Sequence, residues 1–395
     1  MDPKTLNDYE LKSKKVLVRA DLNVPMDKGK ISDTSRIERL VPTIRKIFKS
    51  GGKPILLSHF GRPNGSYDEE LSLKPLIPIL NQILGFPVKF SEDVIGAEAL
   101  ESANTLEDGE VLLMENTRFY PQEETNELSF SQSLSELGDI FCNDAFSASH
   151  RAHASTVGVA QFLPNCMGLL MQEELTTLKT VLTSPEKPVV AVVGGAKVSS
   201  KLDLLINLIH KVDHLVIGGG MANTFLYAQG NTVGKSLCER NMKETALKIL
   251  KDADDGGCHI HIPNDAVIAS DFKANAKSSV IDIDKVPDDA LILDIGPSTC
   301  NRINEIFQEC RTLIWNGPMG AFEVPPFDKG TNITTASAAK LTQSNQLISV
   351  AGGGDTVSAL KKAGVFNDFS YVSLAGGAFL EWMEGKELPG IACLN

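Results

Sequence analysis

The sequence lacks long apolar runs and closely spaced cysteines, and each absence excludes a class of protein. No stretch of about 18 apolar residues occurs, which excludes a membrane-spanning helix. The first residues, MDPKTLNDYELKSKK, contain no apolar core, so we expect no secretory signal peptide. The seven cysteines are scattered without any CxxC spacing. This pattern favours free thiols in the cytoplasm over disulfides or a zinc site.

Basic residues are also in the minority. Lysine and arginine total 38 against 50 aspartates and glutamates, which leaves a net charge of -12. A generally basic surface is therefore excluded, and we expect no nucleic-acid or membrane partner. A local basic pocket remains compatible with this balance. The length of 395 residues suggests two domains.

Short apolar runs rich in β-branched residues alternate with helix-like stretches through the whole chain. The runs are residues 15–19, 54–58, 111–114 and 140–143 in the first half, and 189–193, 215–217, 291–294, 312–315 and 347–351 in the second. Near-continuous apolar strands of this kind predict parallel sheets covered on both faces. The fold class is therefore α/β, with one sheet in each half. A helix-like stretch at 171–181 precedes the proline-containing TSPEKP, which indicates a domain boundary.

Arginines follow the predicted strands of the first half. Seven of the ten arginines fall at or before position 151. Arg19, Arg62, Arg118 and Arg151 lie at or just after strand ends, and Arg36 begins a helix-like stretch. Ligands of open α/β sheets bind beyond the carboxyl ends of strands, and guanidinium groups bind carboxylate or phosphate in a bidentate fork. These positions predict a site for a small, multiply charged anion.

The same strand ends carry other polar side chains. They are Asp21, Asn23, His59, His150 and His153. Strand alternation places Arg19 on one face with Asp21, which favours an ion pair between Arg19 and a carboxylate. Taken singly, each arginine is equally compatible with a surface ion pair that binds no ligand.

The predicted strands of the second half end in glycine. The segments are VVGGAKVSSK, VIGGGMANTF, DIGPST, WNGPMGAFE, VAGGGDT and SLAGGAF. A glycine turn that enters a helix presents free N–H groups, which suit phosphate. One such turn could be a tight connection without a ligand, but six at one sheet edge favour a phosphate chain.

Two lysines and one aspartate add charge to these glycine segments. Lys197 and Lys201 are spaced i, i+4, so on a helix they would share a face and repel unless an anion lay between them. Asp355 follows GGG, and a single carboxylate beside phosphate suits Mg²⁺. GNTVGKS at 230–236 has three residues between its glycines where a phosphate-binding P-loop needs four, so we exclude that interpretation.

Taken together, these segments resemble the phosphoglycerate kinase family. The motifs RADLNVP, SHFGRP, ENTRF, NDAFSASHRAHAS, GGAKVSSKL, GGGMANTFL, WNGPMGAFE, AGGGDT and EGKELPG occur in the order of that family and span positions 19 to 390. The resemblance implies two doubly wound, Rossmann-like domains separated by a cleft with a hinge helix. It further implies a 3-phosphoglycerate domain at 1–170, a hinge at 171–187 and a nucleotide domain at 188–379, with a tail at 380–395 that packs on the first domain.

The resemblance also assigns roles to individual residues. Asp21, Asn23, Arg36, His59, Arg62, Arg118 and Arg151 match the phosphoglycerate site. Lys197 matches the lysine at the transferring phosphoryl group, Lys201 a contact to the nucleotide phosphates, Asn316 a neighbour of the phosphates and Glu323 the ribose contact. Gly353, Gly354, Asp355 and Thr356 match the phosphate and Mg²⁺ loop, with Asp355 as the metal ligand. The family further implies a monomer that uses ATP or ADP.

The sequence departs from the family at one loop. The usual STGGG is here Ser373-Leu374-Ala375-Gly376-Gly377, so a threonine hydroxyl and one glycine are lost. Backbone N–H groups survive such substitutions, and we expect Gly376 and Gly377 to remain part of the catalytic site together with Arg36 and Lys197.

The expected function is reversible phosphoryl transfer between 1,3-bisphosphoglycerate and ADP, as part of glycolysis and gluconeogenesis. Two alternatives remain at this point. A non-catalytic binding protein would account for the arginines but would not need Lys197, Lys201 and Asp355. An NAD-dependent dehydrogenase is opposed by GGGMAN and GGGDTV, which both miss the last glycine of GxGxxG.

Overall fold

The computed structural model describes residues 3–27 and 29–394 and shows two units of the chain. The first unit extends to Thr176 and resumes at Glu387, and the second is Thr177–Lys386. Each unit has its own parallel sheet and its own buried apolar core. This agrees with the expected α/β class and with one parallel sheet in each half, although each unit also contains a smaller antiparallel sheet.

The first unit alternates strands and helices. Its strands are β1 Lys15–Arg19, β2 Met26–Asp27, β3 Lys30–Ile31, β4 Lys53–Leu57, β5 Val88–Ser91, β6 Val111–Met114, β7 Ile140–Asn143 and β8 Asn165–Met167. Its helices are α1 Ser35–Lys49, α2 Ile77–Leu84, α3 Ala97–Asn104, α4 Pro121–Glu124, α5 Leu128–Ser135 and α6 Leu169–Thr183, which continues into the second unit.

The parallel sheet of the first unit has the order β5-β6-β4-β1-β7-β8. Its inner strands are buried along nearly their whole length, which explains their near-continuous apolar sequences. The strand order reverses between β1 and β7, and the crevice at such a reversal is where ligands of open α/β sheets bind. β2 and β3 form a separate antiparallel pair.

Helix α1 shows how sequence pattern and packing agree. Ile37, Leu40, Ile44 and Ile47 recur at helical spacing and are buried in the core of the first unit. This buried face fixes the rotation of the helix on the sheet. Arg36, the second residue of α1, is thereby set beside the carboxyl end of β1.

The second unit continues the alternation. Its strands are β9 Val189–Val193, β10 His214–Ile217, β11 His259–His261, β12 Asp265–Ala269, β13 Ser278–Asp282, β14 Leu291–Ile295, β15 Thr312–Asn316, β16 Ile348–Gly352 and β17 Tyr371–Ser373. Its helices are α7 Leu202–Leu208, α8 Gly219–Ala228, α9 Lys243–Asp255, α10 Pro297–Glu309, α11 Lys329–Gln343, α12 Gly354–Lys362 and α13 Gly377–Met383. The chain then returns to the first unit in α14 Pro389–Ala392.

The parallel sheet of the second unit has the order β11-β10-β9-β15-β16-β17. This is the strand order of a doubly wound dinucleotide-binding sheet, and its reversal lies between β9 and β15. The prediction for residues 291–294 was wrong in one respect. They form β14, which belongs to a separate antiparallel sheet of order β13-β12-β14. Its strands are partly exposed, so a short apolar run there did not mark a parallel strand.

Two further features of the described residues bear on the sequence predictions. All seven cysteines are free thiols, as expected. None of the described helices is long and apolar enough to cross a membrane.

Candidate functional site

In the first unit, the carboxyl ends of β6, β4, β1 and β7 lie side by side, and each is followed by a predicted site residue. Asp21 follows β1, His59 follows β4, and Arg118 lies in a short 3-10 turn after β6. Arg151 follows β7, and Arg62 lies exposed in the loop after β4. The sheet order therefore brings the polar segments named from the sequence to one edge.

Arg36 is bound by residues of the loop after β1. Its Nη1 lies 2.9 Å from Asp21 Oδ1 and 2.8 Å from Asp21 Oδ2, and it donates to the carbonyl of Asn23 at 3.0 Å. Ser147 Oγ donates to the same Asp21 carboxylate at 2.5 Å. Asn23 Oδ1 accepts the N–H of Gly61 at 3.0 Å, which links the loops after β1 and β4. Arg36 is thus held in place by the protein itself.

Arg19 does not form the direct ion pair that we expected. Its Nε donates to Ser155 Oγ at 2.8 Å, and Ser155 Oγ donates in turn to Glu123 Oε1 at 2.5 Å. Within the described residues, no carboxylate lies within 4 Å of the Arg19 guanidinium, because Ser155 stands between the two charges. Arg19 also contacts His59, with Nη2 3.0 Å from His59 Nδ1. Only 1% of Arg19 is exposed, so it acts as buried support for His59.

The remaining arginines of this edge are held near each other. Arg118 Nη1 donates to the Gly61 carbonyl at 2.9 Å, and its Nε lies 3.1 Å from Glu124 Oε1. Arg151 Nε donates to His150 Nε2 at 3.1 Å. Burial, together with the charge of Arg151, lowers the pKa of Arg118 to about 10. The arginines therefore repel one another, and an anion would relieve that repulsion.

Two histidines of this edge are neutral at pH 7. Burial and the charges of Arg19 and Arg118 hold the pKa of His59 well below its usual range. Burial and the same two charges lower the pKa of His153 to about 4. His153 was noted in the sequence without a role, and its position beside the arginines makes it a further member of the anion site. Two neutral imidazoles among guanidiniums can bind a ligand as hydrogen-bonding groups, without adding charge.

In the second unit, Lys201 and Asn316 join the ends of β9, β15 and β16. Lys201 Nζ donates to Asn316 Oδ1 and to the Gly194 carbonyl, each at 2.6 Å. Asn316 Nδ2 donates to the Gly352 carbonyl at 2.8 Å. Burial lowers the pKa of Lys201 to about 8, although the nearby Asp355 opposes this shift. An ammonium group is thereby placed at the reversal of strand order in this sheet.

The prediction that Lys197 and Lys201 share a helical face was wrong. Helical structure begins only at Ser199–Lys201, in a 3-10 turn that precedes α7, so Lys197 lies outside it. Lys197 is exposed, whereas Lys201 points towards Gly194 and Asn316. Lys197 is therefore open to solvent, whereas the ammonium group of Lys201 is held by Asn316 and the Gly194 carbonyl.

The loop that enters α12 carries the residues predicted to hold phosphate and metal. Gly353 has φ +97°, which favours glycine, and Gly354 opens the helix. Thr356 Oγ1 accepts the N–H of Gly317 at 2.7 Å, and Asp355 is exposed in the first turn. The described residues contain no group of three or more metal-binding side chains. A Mg²⁺ ion at Asp355 would take its other ligands from phosphate and water, as Mg²⁺ commonly does.

A cavity of about 430 Å³ lies beside these loops within the second unit. Glu323 and Asp355 line it together with Gly195, Gly219 and Gly220. The remaining wall is largely apolar and was missed in the sequence. It includes Leu237, Phe272, Leu293, Pro318, Met319 and Phe322. These residues come from separate segments of the chain, so their periodicity gave no signal.

Gly376 and Gly377 lie at the entrance of α13. Gly376 has φ +56°, and Gly377 is the first residue of the helix. The loop therefore retains a glycine-dependent turn despite Leu374 and Ala375. Gly376 has open space where a Cβ would stand, so it is its backbone angle that favours glycine here.

The two units together contain the parts of a phosphotransferase of the kinase class. One sheet edge carries a cluster of guanidinium groups, and the other carries glycine-bounded helix entrances, a buried ammonium group and a cavity with an apolar wall. Comparisons with known proteins identify the family.

A sequence model described as phosphoglycerate kinase matches residues 6–386. Phosphoglycerate kinase of a Cereibacter sphaeroides strain is 57% identical over 393 residues, 99% of each chain. That of Methylorubrum populi is 57% identical over 395 residues, 100% of this chain and 99% of the relative. The structure of phosphoglycerate kinase from Coxiella burnetii matches with a TM-score of 0.91 and 41% identity, over 99% of this chain and 98% of that one. The Pyrococcus horikoshii enzyme matches with a TM-score of 0.84 and 30% identity, over the same shares.

The chain belongs to the phosphoglycerate kinase family. It is a kinase, and therefore a phosphotransferase and a nucleotide-binding enzyme, with a role in glycolysis.

Proposed function

We propose that the chain transfers a phosphoryl group reversibly between 1,3-bisphosphoglycerate and ADP, giving 3-phosphoglycerate and ATP. The observation that carries this proposal is the guanidinium cluster at the edge of the first sheet, around the neutral His59. Such a cluster suits a small ligand with both a carboxyl and a phosphate group. Membership of the family supplies the nucleotide as the second substrate.

The first unit would hold phosphoglycerate. Asp21, Asn23, Arg36, His59, Arg62, Arg118 and Arg151 are the binding residues that we propose, and the place of His153 beside the arginines adds it to them. Arg19 supports this site through His59, and its burial argues against direct contact with the ligand.

The second unit would hold the nucleotide. The apolar part of the 430 Å³ cavity suits a base, and Glu323 on its wall suits the hydroxyl groups of a ribose. Lys197, Lys201, Asn316, Gly353, Gly354, Asp355 and Thr356 would serve the phosphate chain. The support for this is that Lys201 donates to Asn316 and that Thr356 accepts the N–H of the next residue, Gly317, at adjoining strand ends.

Mg²⁺ is the metal that this donor set fits. Asp355 offers one exposed carboxylate at the entrance of a helix, and a nucleotide would supply phosphate oxygens beside it. When bound there, the ion would neutralise phosphate charge that the helix N-terminus and Lys201 only partly balance.

The transfer requires no general base. In the direction of ATP formation, an oxygen of the ADP β-phosphate attacks the phosphorus of the acyl phosphate, and the bond from phosphorus to the carboxyl oxygen breaks. The nucleophile and the leaving carboxylate are both ionised at pH 7, so no proton has to move. His59 is accordingly a binding residue, in keeping with its lowered pKa.

Catalysis then rests on positioning and on charge stabilisation. Arg36 and Lys197 would face the transferring group, and the N–H groups of Gly376 and Gly377 would donate hydrogen bonds to its equatorial oxygens. Arg36 is suited to this because Asp21 already fixes its guanidinium. Leu374 and Ala375 replace side chains of the usual loop, but the backbone donors that follow them remain.

A coupled assay tests the proposal. ATP formation from 1,3-bisphosphoglycerate and ADP should be observed with the purified chain. A binding protein would show affinity without turnover, and a dehydrogenase would show a change in NADH absorbance with no ATP. We further propose a cytoplasmic location, with which the seven free thiols agree, and a monomer, as the family resemblance implies. Light scattering of the purified chain measures its mass directly.

A further inference from the structure

Lys362 is the last residue of α12, and its ammonium group is surrounded by one loop. Its Nζ donates to the Phe322 carbonyl at 2.6 Å and lies 3.5 Å from the Glu323 carbonyl. Asp328 Oδ2 is 3.2 Å away, and the Asp328 side chain is only 15% exposed. An ammonium group has three donors, so these three acceptors can satisfy it completely.

The loop concerned connects β15 to α11 and spans residues 317–328. It is joined to α12 at both ends of that helix. At the first turn, the Gly317 N–H donates to Thr356 Oγ1 at 2.7 Å. At the last turn, Lys362 contacts Phe322, Glu323 and Asp328. Loop 317–328 therefore cannot shift along α12 without breaking one of these contacts.

The same loop forms one wall of the 430 Å³ cavity. Its members Pro318, Met319, Gly320, Ala321, Phe322 and Glu323 line the cavity. Lys362 contacts this loop but is not among the residues that line the cavity, and its side chain is 36% exposed. Lys362 therefore supports the cavity wall from outside. Asp355, at the opposite end of α12, faces into the cavity.

We propose that Lys362 is a positioning residue for the nucleotide: it fixes the carbonyls of Phe322 and Glu323 so that the Glu323 side chain and the Phe322 wall are aligned with the phosphate loop at the start of α12. The proposal rests on the proposed function, in which Glu323 contacts the ribose and Asp355 serves the phosphates. Lys362 itself contacts neither substrate. Through loop 317–328 it links the part of the nucleotide site that holds the ribose to the part that holds the phosphates.

A surface ion pair with Asp328 alone would not have this effect. Ion pairs of half-exposed lysines contribute little, and the loss of one should leave ligand binding unchanged. The two carbonyl contacts distinguish Lys362, because they lie on the backbone of the residues that form the wall. The neighbouring Lys361 provides the comparison, since its Nζ lies over the ring of Phe366, 5.1 Å from the centroid.

The test compares Lys362→Met with Lys361→Met. Both variants remove one ammonium group from α12 and keep a long apolar side chain. Calorimetric titration with Mg-ATP and with Mg-tripolyphosphate separates the contribution of the nucleoside to binding from that of the phosphate chain, since tripolyphosphate has no ribose or base. Thermal unfolding confirms that each variant is folded at the titration temperature. If Lys362→Met does not fold, Lys362→Gln, which keeps a donor, is titrated in its place.

Lys362→Met should weaken Mg-ATP binding about five- to twentyfold, as expected for the loss of a charged hydrogen bond that positions a ligand contact. Mg-tripolyphosphate affinity should stay within about twofold of the wild-type value, as for independent sites. In steady state, KM for Mg-ATP should rise while kcat and KM for 3-phosphoglycerate hold. Lys361→Met should leave both affinities within about the same twofold range.

Two results would overturn the role of Lys362. The first is unchanged Mg-ATP binding by a folded Lys362→Met. The second is an equal loss for Mg-ATP and Mg-tripolyphosphate, which would place the effect on the phosphate loop or on general stability. Failure of the proposed function looks different, since the wild-type chain itself would then not bind Mg-ATP.

Discussion

Nη1 of Arg36 lies 2.8 Å from Oδ2 of Asp21, so the guanidinium that we assign to the transferring phosphoryl group is oriented by a carboxylate of its own unit. Ser147 Oγ donates to the same oxygen at 2.5 Å and helps to hold the carboxylate in place. Such preorganisation lowers the cost of aligning a charge-stabilising group in the transition state. It also means that the role of Arg36 can be separated from substrate affinity by experiment.

Arg36→Ala should lower kcat by about 100- to 1,000-fold, the usual loss when one preorganised transition-state contact is removed. KM for 3-phosphoglycerate should rise only modestly, because several other cationic groups of the cluster remain. Steady-state kinetics measure both. Arg39→Ala is the control on the same helix, since Arg39 contacts Glu174 instead, at 3.5 Å. A normal kcat in Arg36→Ala would remove Arg36 from the catalytic site.

Asp355→Asn should weaken binding of Mg-ATP more than binding of ATP in the presence of a chelator, because the carboxylate acts through the metal. We expect a loss of about tenfold or more with Mg²⁺, in the range reported for altered metal surroundings, and little change without it. Titration calorimetry in both conditions makes the comparison. Asp288→Asn, an exposed aspartate of the same unit, is the matched control. Equal losses with and without Mg²⁺ would contradict the metal assignment.

Nucleotide affinity should decrease as the pH rises through about 8. Burial lowers the pKa of Lys201 to about 8, so its ammonium group loses the proton in this range and with it the attraction for phosphate. ADP itself does not change charge there, so a step in Kd between pH 7.5 and 9.5 reports on the protein. In Lys201→Met the step should disappear, whereas Lys211→Met, at an exposed position after α7, should keep it. A step of wild-type size in Lys201→Met would assign the titration to another group.

Folding stability should depend on Asp144. Burial raises the pKa of its carboxyl to about 7, and Oδ2 has no hydrogen-bond partner among the described residues. Because the folded pKa lies above the unfolded one, the fold favours the protonated form. The stabilising contribution is therefore complete below about pH 4 and is lost as the pH rises to about 7.

The side chain of Asp144→Asn cannot titrate. The free energy of unfolding of the variant minus that of the wild type should therefore increase between pH 4 and pH 7 and stay constant above pH 7. The increase has an upper bound of roughly 4 kcal/mol, at 1.36 kcal/mol for each unit of pKa. Urea unfolding at a series of pH values measures it. Asp108→Asn, whose parent side chain is 90% exposed, should show no such trend. A difference that does not vary with pH would show that Asp144 is ionised throughout.

The sequence predicted the positions of strands well where the strands are buried on both faces. β1, β6, β7 and β9 have the bounds that their apolar runs predicted. Short or edge strands gave no comparable signal: β8 and β17 have three residues each, and β5 is buried only at its first and last residues. β14 pairs with β12, and β12 pairs in turn with β13, both in the antiparallel direction. The run at 291–294 was assigned to a parallel sheet because a short apolar run does not reveal the direction of the neighbouring strand.

For the candidate site, strand ends predicted which residues come together, but not how they bond. The arginines of the first unit converge because sheet order brings their strands side by side. The serine between Arg19 and Glu123 could not be foreseen, since Ser155 is 136 residues from Arg19. The spacing of Lys197 and Lys201 implied a shared face only on the assumption of a helix, and the helix starts later. The contacts of Lys362 depend on a loop conformation that no local pattern specifies.

The return of the chain to the first unit has a consequence for the order in which the protein is made. Asn143 Nδ2 donates to the Gly390 carbonyl, and the Gly390 N–H donates to the Ser149 carbonyl, each at 2.8 Å. A Cβ at Gly390 would lie 2.8 Å from the Cα of Ser149, so only glycine fits there. The first unit is therefore incomplete until residues around 390 have been synthesised, whereas the second is continuous.

During synthesis on the ribosome, N-terminal domains usually fold first. For this chain the order of folding would then be reversed. Nascent chains that expose residues up to 386 should resist protease in the second unit while the first is still cleaved. Protection of the first unit at that length would show that it folds without the segment that returns to it after residue 386. Otherwise residues 387–394 complete the first unit, and a chain that stops before them leaves its N-terminal unit open to proteolysis.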